Sequence, residues 1–361
     1  MEKFKSFITE AKEEPYKLLI LSHDDPFDPN ETGPMVRKKA SELGIEVYLA
    51  EFSGMYMEDK GKDQLIYSFP VDEKGKVELP GMKDDVEYDK PFRINPENTL
   101  VMARGIGSTV KTGNLSWRVA CLNLESQGYT LINPVICHDI CNDKWYNQIV
   151  FQQNDIRTPN TVLVRHSEGA EDAAERLGNK FPMILKTAVG SRGVGVIWIE
   201  SLKALHSVIQ LLHREDEFVD VLLQEYIKTD YDVRVIIAAG EILGAIKRPV
   251  VGDDFRSNVS QGSEPVSHEL TEREAQESLR AAESVQGQVV GVDFIPAKNR
   301  DKESPYFIEV NSTPGLMGIE AVLSKSAAKP LIKGKDRSIT KEILKMYMNR
   351  DNWTLDKSTE T

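Results

Sequence analysis

Three groups of residues in this chain have the types and spacing that chemistry on an anionic substrate needs. The first is Lys186-Thr-Ala-Val-Gly190-Ser191-Arg192-Gly193-Val194-Gly195, set between two apolar runs that read as strands. Glycine carries no Cβ, so backbone N–H groups in such a loop can turn toward an anion and cradle a phosphate. Lys186, at the strand end, can reach a phosphate oxygen. No Gly-Lys-Ser/Thr follows, so the run is not a P-loop. A strand, not a helix, comes next, which argues against a Rossmann dinucleotide loop. Taken alone, the run is also compatible with an ordinary glycine-rich turn.

The second group is Gly291-Val-Asp293-Phe-Ile, followed by Phe307-Ile-Glu309-Val-Asn311-Ser312-Thr313-Pro314-Gly315. Glu309 and Asn311 are two apart on an apparent strand and share one face. Asp293 lies inside another apolar strand. Three oxygen donors on neighbouring strands suit a hard cation such as magnesium bridging nucleotide phosphates. The alternative is a pair of strands with solvated polar faces. The third group lies between these two. Gln224-Glu225-Tyr226-Ile227 ends a strand, Asp232 and Arg234 share a face, and Lys247-Arg248-Pro249 ends another strand. Asp254-Phe255-Arg256-Ser257-Asn258 follows as a loop. Arginine stays charged and offers a planar fork of donors to phosphate or carboxylate. Any one of these charges read alone is surface. The order of the groups is the stronger signal: lysine, glycine loop, strand-end glutamate, arginines, then three oxygen donors.

The elements that must position these residues follow from the apolar pattern. Lys17–Ser22, a helix at Met35–Leu43 stopped by Gly44, and a strand at Glu46–Ala50 read as a parallel α/β opening. Residues 54–98 are polar and punctuated by Pro and Gly, and read as loops or a hairpin insertion. Leu100–Ala103, a helix at Trp117–Gln127 and a short strand at Leu131–Ile132 complete a first domain, bounded near Asn133–Pro134. Beyond it, a helix begins at Asp143. Strands at Thr161–Val164, Met183–Thr187, Val196–Ile199 and Leu222–Tyr226 alternate with helices at Ala170–Leu177 and Leu202–Leu212. Val233–Ala239 and Ile242–Arg248 form a hairpin through Gly240-Glu241. A helix at Glu272–Val285 and strands at Gly291–Ile295 and Tyr306–Val310 follow, then a last helix near Ile339–Asn349 and a polar tail from Asp351.

Bulk composition narrows the partners. A chain of 361 residues with 40% hydrophobic content can build two or three cores. The net charge of -12 argues against direct nucleic-acid binding and against an anionic membrane surface. No apolar run approaches the roughly 20 residues of a membrane span, and Met1–Tyr16 is charged and broken by Pro15. A cytoplasmic location is expected. Of the three cysteines, Cys137 and Cys141 flank His138. No second Cys/His cluster exists to complete a zinc site, so buried thiols are the expectation.

In this order, the motifs resemble the ATP-grasp superfamily, and within it the RimK-type branch of amino-acid ligases, which adds glutamate to a ribosomal protein. The resemblance spans Ile132 to Met317, with Phe255-Arg256-Ser257-Asn258 and Phe307 through Gly315 its most specific parts. It implies an α/β and α+β fold: an N-terminal α/β domain at 1–133, a central subdomain at 134–226, a C-terminal subdomain at 227–335, and a helix and tail at 336–361. Nucleotide would lie between the two α+β subdomains. ATP and magnesium, with manganese as the alternative cation, are the implied cofactors. Lys144 and Lys186 would contact nucleotide, and Gly190, Ser191, Arg192, Gly193 and Gly195 would close over the phosphates. Gln224, Glu225, Tyr226 and Ile227 would present the hinge to adenine, with Glu225 the main polar contact. Asp232 would orient the ribose, and Arg234 a neighbouring polar group. Arg248 would face the phosphates, while Arg256 and Asn258 hold the acyl phosphate or acceptor. Asp293, Glu309 and Asn311 would be the magnesium ligands.

The activity implied is carboxylate–amine ligation through an acyl phosphate, its partners an amino acid and a protein C-terminus or small carboxylate, in a homo-oligomer. A kinase on the same scaffold and a nucleotide-binding module without catalysis are the alternatives. The 57–98 stretch and the segment after Glu320 depart from a compact RimK-like chain, so they are expected to shape acceptor choice.

Overall fold

In a computed structural model, the described residues are 16–22, 32–52, 55–56, 64–66, 92–104, 116–189, 195–215, 219–250, 264–325 and 338–353. The chain opens with β1 (Lys17–Ser22), α1 (Thr32–Glu42) and β2 (Glu46–Glu51). Three short strands follow: β3 (Met55–Tyr56), β4 (Gln64–Ile66) and β5 (Phe92–Ile94). Then come β6 (Thr99–Arg104), α2 (Ser116–Ser126) and β7 (Thr130–Ile132). Strands β2-β1-β6-β7 form one parallel sheet, as the opening strand–helix–strand pattern predicts. Both faces of β1 are covered, which is why Leu18 to Leu21 run apolar without alternation.

The 54–98 stretch was expected to be loops or a hairpin, and its described residues form a three-stranded antiparallel sheet, β3-β4-β5. Tyr129 fastens it: the hydroxyl donates to the Ile94 carbonyl at 2.7 Å and accepts from the Gln64 N–H at 3.3 Å. Strands of two or three residues are too short to show a period, so the sequence pattern reads as loop.

Next come α3 (Val135–Asn142), α4 (Lys144–Gln153), β8 (Thr161–Val164), α5 (Ala170–Arg176), β9 (Met183–Thr187), β10 (Val196–Ile199), α6 (Leu202–Glu215) and β11 (Val221–Glu225). Strands β10-β9-β11-β8 make an antiparallel sheet whose one face packs on α5 and α6 through Leu185, Leu223, Ala173, Leu205 and Ile209. The last part holds β12 (Tyr231–Ala238), β13 (Glu241–Pro249), β14 (Val266–Ser267), α7 (Glu272–Ser284), β15 (Val289–Ile295), β16 (Tyr306–Asn311), α8 (Met317–Lys325) and α9 (Ile339–Met348). Strands β14-β13-β12-β15-β16 form an antiparallel sheet. None of the helices among the described residues is long and apolar enough to cross a membrane.

Two packing results concern elements beside the expected boundaries. Helices α3 and α4, expected within a 134–226 unit, cover the β12–β16 sheet: Cys137, Ile140, Val150 and Phe151 share a core with Val233, Val235, Phe307 and Val310. The Phe151 and Phe307 rings meet edge to face at 6.1 Å. An apolar helical stripe is legible in sequence, but not which sheet it will cover. Helix α9, grouped with the tail at 336–361, is also core. Ile339, Ile343, Leu344 and Tyr347 join Leu18, Ile20, Leu100 and Met102 of the N-terminal sheet with Ile236, Ala238, Leu243 and Val289 of the five-stranded sheet. Gly244 makes room for this. A Cβ there would lie 2.7 Å from Leu323 of α8 and 3.2 Å from Ile339 of α9.

Candidate active site

Side chains alternate along a strand, so Asp232, Arg234, Ile236 and Ala238 of β12 share one face. Register brings their neighbours alongside: Asp232 pairs with Arg248, Arg234 with Asp293, and Asp293 with Glu309. A charged band therefore crosses four strands at one end of the sheet. Within it, the Arg234 guanidinium donates to both oxygens of Asp293 at 2.7 and 2.6 Å. Arg248 does the same to Asp232 at 2.7 and 2.6 Å, and reaches Asp293 at 3.0 Å. Two guanidinium groups and two carboxylates thus neutralise one another. Burial opposes the charge on Asp293, but Arg234 and Arg248 overcome it and hold the carboxyl below its ordinary range. Burial likewise opposes the charge on Arg248, and Asp293 and Asp232 outweigh it.

Glu309 and Asn311 stand beside this band, with the Asn311 amide donating to the Glu309 carboxylate at 3.2 Å. This donor set is oxygen-rich and suits a hard cation. Asp293 already accepts one arginine bond on Oδ1 and two on Oδ2, which leaves a lone pair on Oδ1 for a cation. The strand motif Gly291-Val-Asp293 has a packing reason. A Cβ on Gly291 would lie 3.0 Å from the Pro314 ring, so glycine lets the turn after β16 settle on β15.

The four-stranded sheet supplies the opposite wall. Lys186, Ile184, Leu222, Gln224 and Trp198 lie on the face of that sheet turned away from α5 and α6. The Lys186 ammonium donates to the Gln224 side chain at 2.7 Å, and Gln224 donates in turn to the Thr161 hydroxyl at 2.8 Å. Burial pushes Lys186 down to about 8, while the nearby Glu309 charge pulls it up and Lys144 pushes it down. Lys144 opens α4, and α4 meets the sheet that carries Glu309 through Phe151 and Phe307. Asp143 caps α4 by accepting from the Trp145 and Tyr146 N–H groups at 2.8 and 3.1 Å, and the Lys144 N–H donates to the Ala188 carbonyl. That cap brings Lys144 beside the strand that carries Lys186.

The strand expected to form the hinge makes contacts within the protein. Glu225 ends β11, and its carboxylate accepts from the Asn160 N–H at 2.8 Å, so one oxygen is used within the protein. Tyr226 lies against Trp198, their rings edge to face at 4.7 Å. Gly195 takes a positive φ of 82°, and a Cβ there would strike the Thr187 hydroxyl at 2.7 Å, so this last glycine of the loop is required by the turn. Gly190, Ser191, Arg192, Gly193, Arg256 and Asn258 lie outside the described residues, while Ile227 follows β11.

Sequence reasoning gave none of three residues next to this site its observed partners. Asn133, read only as a turn residue before proline, is fully buried and bonded to strand ends of the five-stranded sheet. His138, weighed with Cys137 and Cys141, turns instead to the Ser312 hydroxyl at 2.8 Å, while the two sulfurs lie 4.0 Å apart. Arg104, at the carboxyl end of β6, donates to the Pro314 carbonyl at 3.3 Å. Nothing in a local window distinguishes these from ordinary polar residues, because their partners are 155 to 210 positions away.

Comparison with known proteins identifies the family. The RimK-like ATP-grasp domain matches residues 141–334. A protein from Rhodopirellula baltica named probable alpha-L-glutamate ligase is 33% identical over 192 residues, which is 53% of this chain and 46% of that one. This chain thus spans less than half the length of that relative. A ribosomal protein bS6–L-glutamate ligase from Escherichia fergusonii is 30% identical over 225 residues, covering 62% of this chain and 73% of the relative. Among solved structures, D-alanine–D-alanine ligase from Bacillus anthracis superposes with a TM-score of 0.60 at 17% identity, over 94% of this chain and 98% of that one. With its charged band, its facing lysine and a domain match across both α+β sheets, the chain belongs to the RimK-like ATP-grasp family.

Proposed function

We propose that this chain is an ATP- and magnesium-dependent carboxylate–amine ligase that joins an amino acid to a carboxylate through an acyl phosphate. The observation that carries the reading is that α4, whose Lys144 N–H bonds the Ala188 carbonyl just past Lys186, also packs through Phe151 on Phe307 of β16, the strand of the Glu309 and Asn311 oxygens. Relatives are named glutamate ligases, which makes glutamate the first amine to test.

In the reaction, a substrate carboxylate oxygen attacks the γ-phosphorus of ATP and ADP leaves. The amine then attacks the acyl carbon, the tetrahedral oxyanion collapses, and inorganic phosphate leaves as the amine gives up its proton. Such chemistry needs alignment and charge neutralisation more than a protein nucleophile. Lys186 and Lys144 bring fixed positive charge to the phosphates, with Gln224 holding the Lys186 ammonium in place. Arg248 and Arg234 are neutralised by Asp232 and Asp293 until a phosphate competes for them. Glu309, Asn311 and Asp293 would hold magnesium, which supplies neutralisation of β- and γ-phosphate oxygens when bound. Arg256 and Asn258 are assigned to the acyl phosphate, and the 190–195 loop to exclusion of water that would otherwise hydrolyse it.

The test is magnesium-dependent phosphate release from ATP with each amino acid added singly and in pairs, followed by mass spectrometry. Phosphate release that depends on one amino acid, with a product mass equal to an amide, supports the ligase. A phosphorylated product without free phosphate would replace it with a kinase. ATP binding without turnover, even on a cell extract, would leave a binding module.

A further inference from the structure

The segment Glu309–Asn311 is held to β15 at three ladder positions, beyond an irregularity where the pairing shifts between Asp293 and Phe294. That short ladder ends at Asn311, so contacts from outside the sheet hold the chain just beyond it. The Asn133 amide nitrogen donates to the carbonyls of Val289 and Ser312 at 2.7 and 2.5 Å. Its oxygen accepts from the N–H groups of Gln288 and Val289 at 2.6 and 2.8 Å. A side-chain amide can do both because it has donors on one atom and lone pairs on the other. One buried side chain from the end of the N-terminal sheet thus ties the start of β15 to the residue after Asn311. Ser312 is gripped a second time through its hydroxyl by His138 Nδ1, and Arg104 holds the Pro314 carbonyl two residues on.

We propose that Asn133, assisted by His138, is a positioning residue for the divalent cation of the bound nucleotide. It holds Ser312, and with it Asn311 and Glu309, where their oxygens can be shared with the cation. The inference rests on the cation reading of Asp293, Glu309 and Asn311, and it makes cation affinity depend on a side chain that never touches the cation. Groups of this kind change metal affinity by roughly 10–100-fold when removed.

The experiment measures Mn²⁺ binding in the presence of ADP by electron paramagnetic resonance, with unfolding midpoints in parallel, for the wild type, Asn133→Asp, Ser312→Ala and Asn311→Ala. Asn133→Asp keeps the shape and both acceptances and loses both donations. Mn²⁺ affinity is expected to fall about tenfold or more in Asn133→Asp. Ser312→Ala, which removes only the bond to His138, is expected to cost about three- to tenfold. ADP affinity without cation stays unchanged in both. If Asn311→Ala weakens Mn²⁺ binding while Asn133→Asp and Ser312→Ala lower only the unfolding midpoint, the positioning role is wrong and the cation reading stands. If Asn311→Ala also leaves Mn²⁺ binding unmoved, the cation reading fails and the positioning role with it. Should Asn133→Asp not fold, Ser312→Ala decides by the same criterion.

Discussion

The two ends of one face of the five-stranded sheet are built from the same strands two residues apart, and they are chemically opposite. At one end lie Asp232, Arg234, Arg248, Asp293 and Glu309. At the other lie Ile236, Ala238, Ile246 and Val289, packed under α8, α9 and the N-terminal sheet. Arg234 and Ile236 are neighbours on that face, and so are Arg248 and Ile246. Burial is deep on both sides of the divide: Asp293 is 3% exposed and Ile236 is 0%. What differs is how burial is tolerated. The apolar end gains from losing water, whereas the charged end survives because each buried charge has an opposite partner in hydrogen-bond geometry. A buried ion network is weak as a source of stability, since well-packed apolar residues would serve the fold as well. Its presence beside an apolar half therefore points to use.

The sharpest way to break the contrast is Asp293→Ala. It strands two arginines, and the expected loss is ~3–5 kcal/mol of unfolding free energy in denaturant titration, together with loss of cation-dependent nucleotide binding. A loss below about 1 kcal/mol would mean the arginines find water instead. On the apolar side, Ile236→Ala should cost ~2–4 kcal/mol by the cavity it leaves, while the magnesium concentration for half-maximal phosphate release stays put. A shifted magnesium dependence there would erase the division of labour.

Gly291→Ala tests the border between the ends. The added methyl meets the Pro314 ring, and overpacking should cost ~1–3 kcal/mol in an unfolding titration. The smallest expected effect is a pH dependence. Lys186 titrates near 8, so it carries its charge below that pH and loses it above. ATP affinity measured by calorimetry should therefore fall as pH rises from 7 to 9, by up to about tenfold per unit beyond the pKa. Lys186→Arg should flatten the profile, and a wild-type affinity constant over that range would remove Lys186 from the phosphates.

The residues that could be read from the sequence were those whose meaning is local. Glu309 and Asn311 two apart, Asp293 in an apolar strand and Lys186 at a strand end all carry their geometry in their spacing. Pairing across strands is not local. Arg234 and Asp293 are 59 positions apart, and only the register of β12 against β15 shows that the arginine neutralises a candidate cation ligand. Asn133 is further still from legibility, since its Asn-Pro context is that of any turn. The helix that begins at Asp143 is legible, yet the sheet it covers is not, since its Phe151 meets Phe307 of a strand far along the chain.

The matched family region stops at residue 334, yet α9 beyond it lies in the same core as β1. The Tyr347 hydroxyl donates to the Gln288 side chain at 2.7 Å, on the residue whose N–H meets Asn133. Recombination that respected the family border would cut this joint. A chimaera carrying residues 141–334 on a foreign front end would inherit bare Ile236, Leu243 and Ala238. Exchanging the matched region with a relative would thus require the C-terminal helix and the N-terminal sheet to travel together, as a single heritable unit interrupted by that region.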